Sequence, residues 1–227
     1  MLSRLAWLAL ETKCLDRARR FYVESFDLPV RSEGDHEVTL DAGGVGFVLR
    51  RPRSVPRGGL HTHFAFSAPA AEYDDWWERL SADHDLVEHR FGDTRSLYCY
   101  DPDGNCVEIG GIDDDGSGIT GIFEIVLEVA DLDRSEALYA DFGFETIDRG
   151  ADRRRIRMAG PVDLELWEPH LGIADARGGV HVDIGFEAPD PTAAIDPIAD
   201  RVCASEHVEN GVRIRDPDGH YVTVLKG

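Results

Sequence analysis

The chain has 227 residues, with 44 Asp or Glu against 24 Lys or Arg, so its formal net charge is −20 at pH 7. This length suits one or two domains, and an apolar content of 42% argues against a disordered acidic tail. The charge argues against a nucleic-acid binder, because neutralising phosphates needs a cationic face. The acids are spread along the whole chain, which favours the solvated acidic surface of a halophilic protein over a tail that binds basic partners.

The apolar runs are short. The longest near the start, residues 5–10, is far below the roughly 20 residues that a spanning helix needs. It is followed at once by polar residues 11–13, without a cleavage pattern. The four Cys residues show no metal-binding spacing. We therefore expect a cytoplasmic protein with no membrane partner.

Along the chain, the pattern of a strand, a helix and a strand meander occurs four times. The first strands alternate polar and apolar residues around 7–11, 63–67, 124–129 and 183–187. Helices are predicted at 15–26, 70–80, 134–142 and 192–202. The last strand of each unit places apolar side chains on one face. The other face carries Val48, Glu108, Glu165 and Thr223 in turn.

The four units are interpreted as a tandem duplication with a finer repeat in each half. Residues 58–69, GGLHTHFAFSAP, recur as GGVHVDIGFEAP at 178–189, and residues 14–22 match 131–139. We predict an N-terminal domain of residues 1–112, built from modules 1–56 and 57–112. A C-terminal domain of residues 119–227 would contain modules 119–177 and 178–227.

The sequence Asp-Pro-Asp-Gly occurs at 101–104 and again at 216–219. Pro at the second position and Gly at the fourth are typical of tight turns, so we predict two hairpins. A calcium loop is the alternative. It is disfavoured because Cys106 stands where an EF-hand loop requires Gly.

These motifs resemble the vicinal oxygen chelate superfamily, which includes glyoxalase I, extradiol dioxygenases, fosfomycin-resistance thiol transferases and metal-free bleomycin-binding proteins. The similarity lies in LDRA and FY at 15–22, GGLHTHFAF at 58–66 and DPDGNCVEI at 101–109. The resemblance implies an α+β fold of four βαβββ modules that form two half-open, eight-stranded, barrel-like sheets. It also implies metal ligands on the first and last strands of the modules, facing away from the helices.

Carried over by position, the ligand sites on the first strands are Trp7, His63, Glu124 and Asp183, and those on the last strands are Val48, Glu108, Glu165 and Thr223. Only the second and third modules keep a metal-binding residue at both positions. Pairing module two with three, and one with four, gathers those donors in one cavity. We favour this crossed arrangement over pairing one with two and three with four.

The resemblance then implies a divalent metal, Mn, Fe, Ni, Co or Zn, bound by His63, Glu108, Glu124 and Glu165. Glu108 and Glu165 are the predicted catalytic residues, of which one would act as a base. We predict an enzyme similar to glyoxalase I, a lyase or isomerase that moves a proton on a small vicinal-oxygen substrate such as a thiol adduct of a 2-oxoaldehyde. An extradiol dioxygenase, a thiol transferase and a metal-free small-molecule binding protein stay open as alternatives. A monomer or homodimer is expected.

Other residues carry weaker predictions. His61 and His181 share a face with the first-strand sites but lie one residue pair away, so they are less favoured as ligands. The run Arg153 to Arg155 is predicted either to grip an anionic substrate or to be a solvated hairpin. Trp7 and Trp167 either stack on a substrate or fill the barrel.

Overall fold

The four predicted units are present as modules of one strand, one helix and three further strands. The structure, a computed structural model, describes residues 1–52, 62–113, 115–152, 154–170 and 182–227. Module one contains β1 (Arg4–Glu11), α1 (Leu15–Phe26), β2 (Val30–Glu33), β3 (Glu37–Ala42) and β4 (Val45–Arg50). Module two contains β5 (His63–Pro69), α2 (Tyr73–Ser81), β6 (Val87–Phe91), β7 (Thr94–Tyr100) and β8 (Cys106–Asp113).

The second half repeats this order. Module three contains β9 (Gly121–Glu128), α3 (Leu132–Asp141), β10 (Glu145–Arg149), β11 (Arg155–Ala159) and β12 (Asp163–Trp167). Module four contains β13 (Asp183–Ala188), α4 (Pro191–Ile195), β14 (Ala204–Val208), β15 (Gly211–Arg215) and β16 (Tyr221–Lys226). The α+β fold predicted from the resemblance is confirmed.

The strands form two eight-stranded sheets, each with one module from either half of the chain. Sheet one has the order β14-β15-β16-β13-β1-β4-β3-β2, and sheet two has the order β10-β11-β12-β9-β5-β8-β7-β6. The first strands of modules two and three pair antiparallel at the centre of sheet two. The crossed pairing of modules is therefore confirmed. Both halves of the chain contribute to each sheet. The division of the sequence into domains 1–112 and 119–227 stays a prediction.

The core lies where the helices and the helix-facing sides of both sheets meet. Tyr22 of α1 packs on Phe47 of sheet one, with ring centroids 4.6 Å apart, and lies 6.5 Å from Phe64 of sheet two. The rings of Phe47 and Phe64 are themselves 5.2 Å apart. All three side chains are fully buried. The apolar residues of each alternating strand are thus used in the core, which leaves the other face of each sheet for polar groups.

The two Asp-Pro-Asp-Gly segments form the predicted hairpin turns. Gly104 and Gly219 have φ values of 89° and 96° and donate their N–H groups to Asp101 and Asp216 carbonyls at 3.0 and 3.1 Å. The Asp101 carboxylate also accepts a hydrogen bond of 2.7 Å from the hydroxyl of Tyr22. In the second half, Tyr139 donates to Asp216 at 2.9 Å. In each half, a side-chain hydrogen bond therefore links the first helix to the turn of the last hairpin. The first Asp of each turn accepts this bond from the protein.

The helices differ from the predicted ranges mainly at α4. We expected a helix over 192–202, but α4 ends at Ile195 and continues only as a 3₁₀ turn, Asp196–Ile198. Pro197 explains the break, because it lacks an N–H and its ring clashes with the preceding helical turn. Among the described residues, no helix combines the length and the apolar character needed to span a bilayer.

Candidate metal centre

The centre of sheet two brings the predicted donors together on its cavity face. Glu124 of β9 is opposite Ala65 of β5, and Glu108 of β8 is opposite the same Ala65 on the other side. His63 lies two residues before Ala65, so it points to the same face. Ala65 has only a methyl group to place between the two acids. The three functional side chains therefore converge across three neighbouring strands.

His63, Glu108 and Glu124 form a compact buried group. The imidazole Nε2 of His63 lies 3.1 Å from an oxygen of Glu108 and 3.7 Å from an oxygen of Glu124. One donor atom of each residue lies within 4.8 Å of the other two, and the side chains are only 5–7% exposed. We call these three residues the donor group. One nitrogen and two carboxylates suit Mn²⁺, Fe²⁺, Ni²⁺, Co²⁺ or Zn²⁺, so the donor set fits the metal that the fold family implies.

Glu165, predicted as a fourth ligand, lies beside this group but is held by other partners. One of its oxygens accepts a hydrogen bond of 2.9 Å from Arg155, and the other accepts one of 2.7 Å from the indole N–H of Trp167. Among the described residues, the group with metal-binding separations comprises His63, Glu108 and Glu124. Trp167 thus fixes the orientation of a carboxylate, a role that the sequence did not suggest for it.

Arg157 of β11 is a site residue that our sequence analysis missed. Its guanidinium lies 3.0 Å from Glu124 and 3.7 Å from Glu165, and it donates to Asp163 at 2.9 Å. The signal was present in β11, where Arg155 and Arg157 alternate with buried apolar residues. A strand with that pattern points its arginines to one face. Here that face is the cavity, so Arg157 partly neutralises the acids.

The electrostatics of the site are dominated by burial and by the proximity of like charges. Burial, together with the negative charges of Glu165 and Glu108, raises the pKa of Glu124 to about 7, although Arg157 and His63 oppose the shift. Burial and the adjacent Glu108 carboxylate likewise raise the pKa of Tyr98, whose hydroxyl donates to Glu108. Groups with shifted pKa values in a cleft are typical of functional sites.

The donor group lies in a large cavity of about 1240 Å³ between modules two and three. Its lining includes Tyr98 and Cys106 from one module and Arg155, Arg157 and Trp167 from the other. Small-molecule sites usually occupy about 300 to 1,000 Å³. The cavity therefore has room for a substrate of some size next to the donor group.

The equivalent positions of sheet one do not form a metal site among the described residues. Trp7 occupies the centre of that face, packed over Gly185, where an added Cβ would lie 2.2 Å from the indole ring. Asp183 accepts hydrogen bonds from Thr223 at 3.0 Å and from Arg50 at 3.1 Å. Trp7 fills the barrel, as one of its two predicted roles required, and the acid of module four is neutralised by protein groups.

The remaining predicted residues have different outcomes. His61, His181 and Arg153 lie outside the described residues. Arg154 is exposed and pairs with Glu168 at 2.7 Å, as a solvated hairpin would. Arg155 instead turns into the cavity towards Glu165.

Comparisons with known proteins agree with this fold. A profile of the Glyoxalase/Bleomycin resistance protein/Dioxygenase superfamily matches residues 4–109. The fold is similar to that of a candidate dioxygenase from Bacillus subtilis subsp. subtilis str. 168 (TM-score 0.76, 15% identity, covering 98% of this chain and 85% of that one). It is also similar to glyoxalase I from Zea mays (TM-score 0.71, 18% identity, covering 98% of this chain and 92% of that one). A search of the curated proteins finds no match. Residues 4–109 therefore match the glyoxalase, bleomycin resistance protein and dioxygenase superfamily, and the fold shared with the two solved structures extends over 98% of the chain.

Proposed function

We propose that this protein is a metal-dependent enzyme that transfers a proton on a small substrate with two adjacent oxygen atoms, in the manner of glyoxalase I. The observation that carries the proposal is the donor group, His63, Glu108 and Glu124, buried at the side of a 1240 Å³ cavity. Buried carboxylates are costly unless they are paired or bind a metal. Two acids next to one imidazole form such a metal-binding set.

The donor group would hold the ion, and the bound ion would polarise a substrate oxygen and so acidify the adjacent C–H bond. Counting Glu165, three carboxylates face this region, against the two charges of a divalent ion. One carboxylate can therefore remain available as a base. We assign that role to Glu165, because its donor atoms lie outside the donor group.

Two hydrogen-bond donors orient Glu165 for the role of a base. The indole N–H of Trp167 at 2.7 Å and the guanidinium of Arg155 at 2.9 Å orient its carboxylate in the cavity. Both hydrogen bonds hold the carboxylate in one orientation in the cavity, where it would accept a proton from a substrate carbon. Glu108, the other acid predicted to be catalytic, is hydrogen-bonded to His63 at 3.1 Å and belongs to the donor group.

Metal analysis tests the proposal most directly. The protein purified without chelator should contain close to one equivalent of Mn, Fe, Ni, Co or Zn, and Glu108→Gln should lose it. Asp183→Asn is the matched control, because Asp183 is the module-four counterpart of His63 in sheet one and should not change the metal content. Absence of metal after reconstitution with each of these ions would overturn the proposal.

The role of Glu165 has a separate test. Trp167→Phe removes the 2.7 Å hydrogen bond to Glu165 but no donor-group residue. Metal affinity by calorimetry should change by less than about threefold, while turnover should fall about tenfold, since one orienting hydrogen bond is worth roughly 1.4 kcal/mol. Equal losses of metal affinity and turnover would place Glu165 among the ligands instead.

A metal-free binding protein is the second candidate. It is favoured by Arg157, which already pairs with Glu124 at 3.0 Å and gives the acids partial compensation without an ion. The same metal analysis separates the two candidates. Oxygen consumption with a catechol would instead identify a ring-cleaving dioxygenase, although that chemistry favours two His and one carboxylate, and the donor group offers one His.

A further inference from the structure

We propose that the cavity takes an uncharged substrate whose two adjacent oxygens are attached to an aromatic or otherwise apolar body. The position of the oxygens rests on the proposed function, because they would lie at the donor group. The chemical class of the body rests on the walls of the cavity alone. The two parts of the inference can therefore be tested separately.

A run of four rings leads from the donor group to the cavity rim. The rings of His63 and Tyr98 are 5.7 Å apart, those of Tyr98 and His89 are 5.2 Å apart, and those of His89 and Phe91 are 6.5 Å apart. Aromatic side chains pack at separations of about 4.5 to 7 Å. We call this run, which crosses β5, β7 and β6, the aromatic wall. An aromatic substrate can pack on it while its oxygens reach the donor group.

The face of β6 that lines the cavity carries apolar residues, where a face exposed only to water would carry charged ones. Val87, His89 and Phe91 point into the cavity, although Val87 and Phe91 are 55% and 61% exposed. Glu88 and Arg90 alternate with them and point to the other side, where Glu88 accepts hydrogen bonds of 3.0 Å from Tyr73 and 3.1 Å from Arg90. A strand that faced only water on its cavity side would carry charged residues there. The cavity side is therefore built to contact something apolar.

The exposed apolar side chains are concentrated on this same side of the cavity. Eight large apolar residues are exposed among the described part of the chain, and half of them line the cavity: Val87, Phe91, Tyr100 and Ile112. Exposed apolar side chains gathered on one surface mark a binding site. Because this patch lines the same cavity as the donor group, its occupant would be a small molecule that reaches both.

The charges of the cavity disfavour an anionic substrate. Six carboxylates and two guanidinium groups belong to the described lining residues: Asp85, Glu108, Glu124, Asp152, Asp163 and Glu165, with Arg155 and Arg157. Both guanidinium groups are engaged, Arg155 with Glu165 at 2.9 Å and Arg157 with Glu124 at 3.0 Å. Even with a divalent ion bound, the acids outnumber the positive charges. A thiol adduct that carries its own carboxylates would be repelled.

Three related probes separate charge from apolar character. The first, 2-hydroxyacetophenone, is uncharged and has adjacent oxygens and a phenyl ring. Mandelate keeps the ring and has adjacent oxygens, one of which belongs to a charged carboxylate, and hydroxyacetone keeps the oxygens but lacks the ring. Dissociation constants measured by ligand-observed NMR should be at least about tenfold lower for 2-hydroxyacetophenone than for hydroxyacetone with and without Zn²⁺, and than for mandelate without the ion, which a hydroxycarboxylate would chelate.

Variants then locate the binding. Phe91→Ser should weaken 2-hydroxyacetophenone about fivefold or more and leave hydroxyacetone unchanged, since only the ring contacts the aromatic wall. Ile147→Ser is the matched control: Ile147 is 54% exposed on β10 and does not line the cavity. Mandelate binding as tightly as 2-hydroxyacetophenone without the ion, or no effect of Phe91→Ser, would overturn the inference. So would a wild-type dimer that Phe91→Ser dissociates in sedimentation, because the patch would then be covered by a second copy.

Failure of the proposed function gives a different pattern. If the protein takes up no metal but still prefers the uncharged aryl probe, the enzyme proposal fails and the substrate class stands. If metal binds at one equivalent but the aryl probe has no advantage, the substrate class fails and the enzyme proposal stands.

Discussion

Replacing Glu124 with Gln is expected to stabilise the metal-free protein at alkaline pH while it abolishes metal binding. Glu124 is only 6% exposed, and burial beside Glu165 raises its pKa to about 7 from an ordinary value of 4.5. Between these two values the folded state keeps a proton that the unfolded state has released. Stability therefore falls as the pH rises through this window, by about 3 kcal/mol once the pH is above 7. A neutral Gln avoids this cost.

Urea unfolding with chelator present, at several pH values from about 5 to about 8.5, measures the effect. The wild type should lose up to about 3 kcal/mol of unfolding free energy relative to Glu124→Gln across that range. Glu145→Gln, on an exposed position of β10, is the control and should follow the wild type. Parallel pH profiles for the wild type and Glu124→Gln would refute the reasoning, because they would show that burial of the charged acid has no cost.

Three further outcomes are expected. A metal present at about a thousand times its dissociation constant should stabilise the wild type by about 4 kcal/mol in thermal unfolding but not Glu124→Gln; equal stabilisation would point to another site. Gly185→Ala should cost about 1 to 3 kcal/mol in urea unfolding with metal binding retained, because its Cβ would lie 2.2 Å from the ring of Trp7; a neutral effect would mean that Trp7 moves freely. Tyr139→Phe should also cost about 1 to 3 kcal/mol, because buried Asp216 loses a 2.9 Å hydrogen bond; a cost near zero would show that water replaces the hydroxyl.

The donor group could be predicted from the sequence because its placement needs only the repeat register and the pleat of a strand. His63, Glu108 and Glu124 occupy matching positions of modules two and three, and the loss of donors in the other modules favours the crossed pairing. The crossed pairing determines which strands share a sheet, and the structure has that strand order. The pairing of the modules could be predicted because only one pairing brings the metal-binding residues into the same cavity.

The environment of Glu165 could not be predicted, because it depends on contacts between strands whose register the sequence does not reveal. Arg157 lies directly opposite Glu165 across β11 and β12, and Arg155 lies opposite Trp167. Whether Glu165 points to the donor group or to these partners is a choice between side-chain rotamers. That choice is decided by the hydrogen bonds available, 2.9 Å from Arg155 and 2.7 Å from Trp167.

The two sheets show how one fold can keep a site in one place and fill it in another. In sheet one, Trp7 is in register with Gly46 on β4 and with Gly185 on β13, so the indole is flanked on both sides by residues without side chains. An added Cβ would lie 3.3 Å from Trp7 at Gly46 and 2.2 Å at Gly185. The equivalent His63 of sheet two is in register with Cys106 and Val126. Filling sheet one therefore involves three strands together. Since the core uses the opposite face of both sheets, this change leaves the packing of the helices intact.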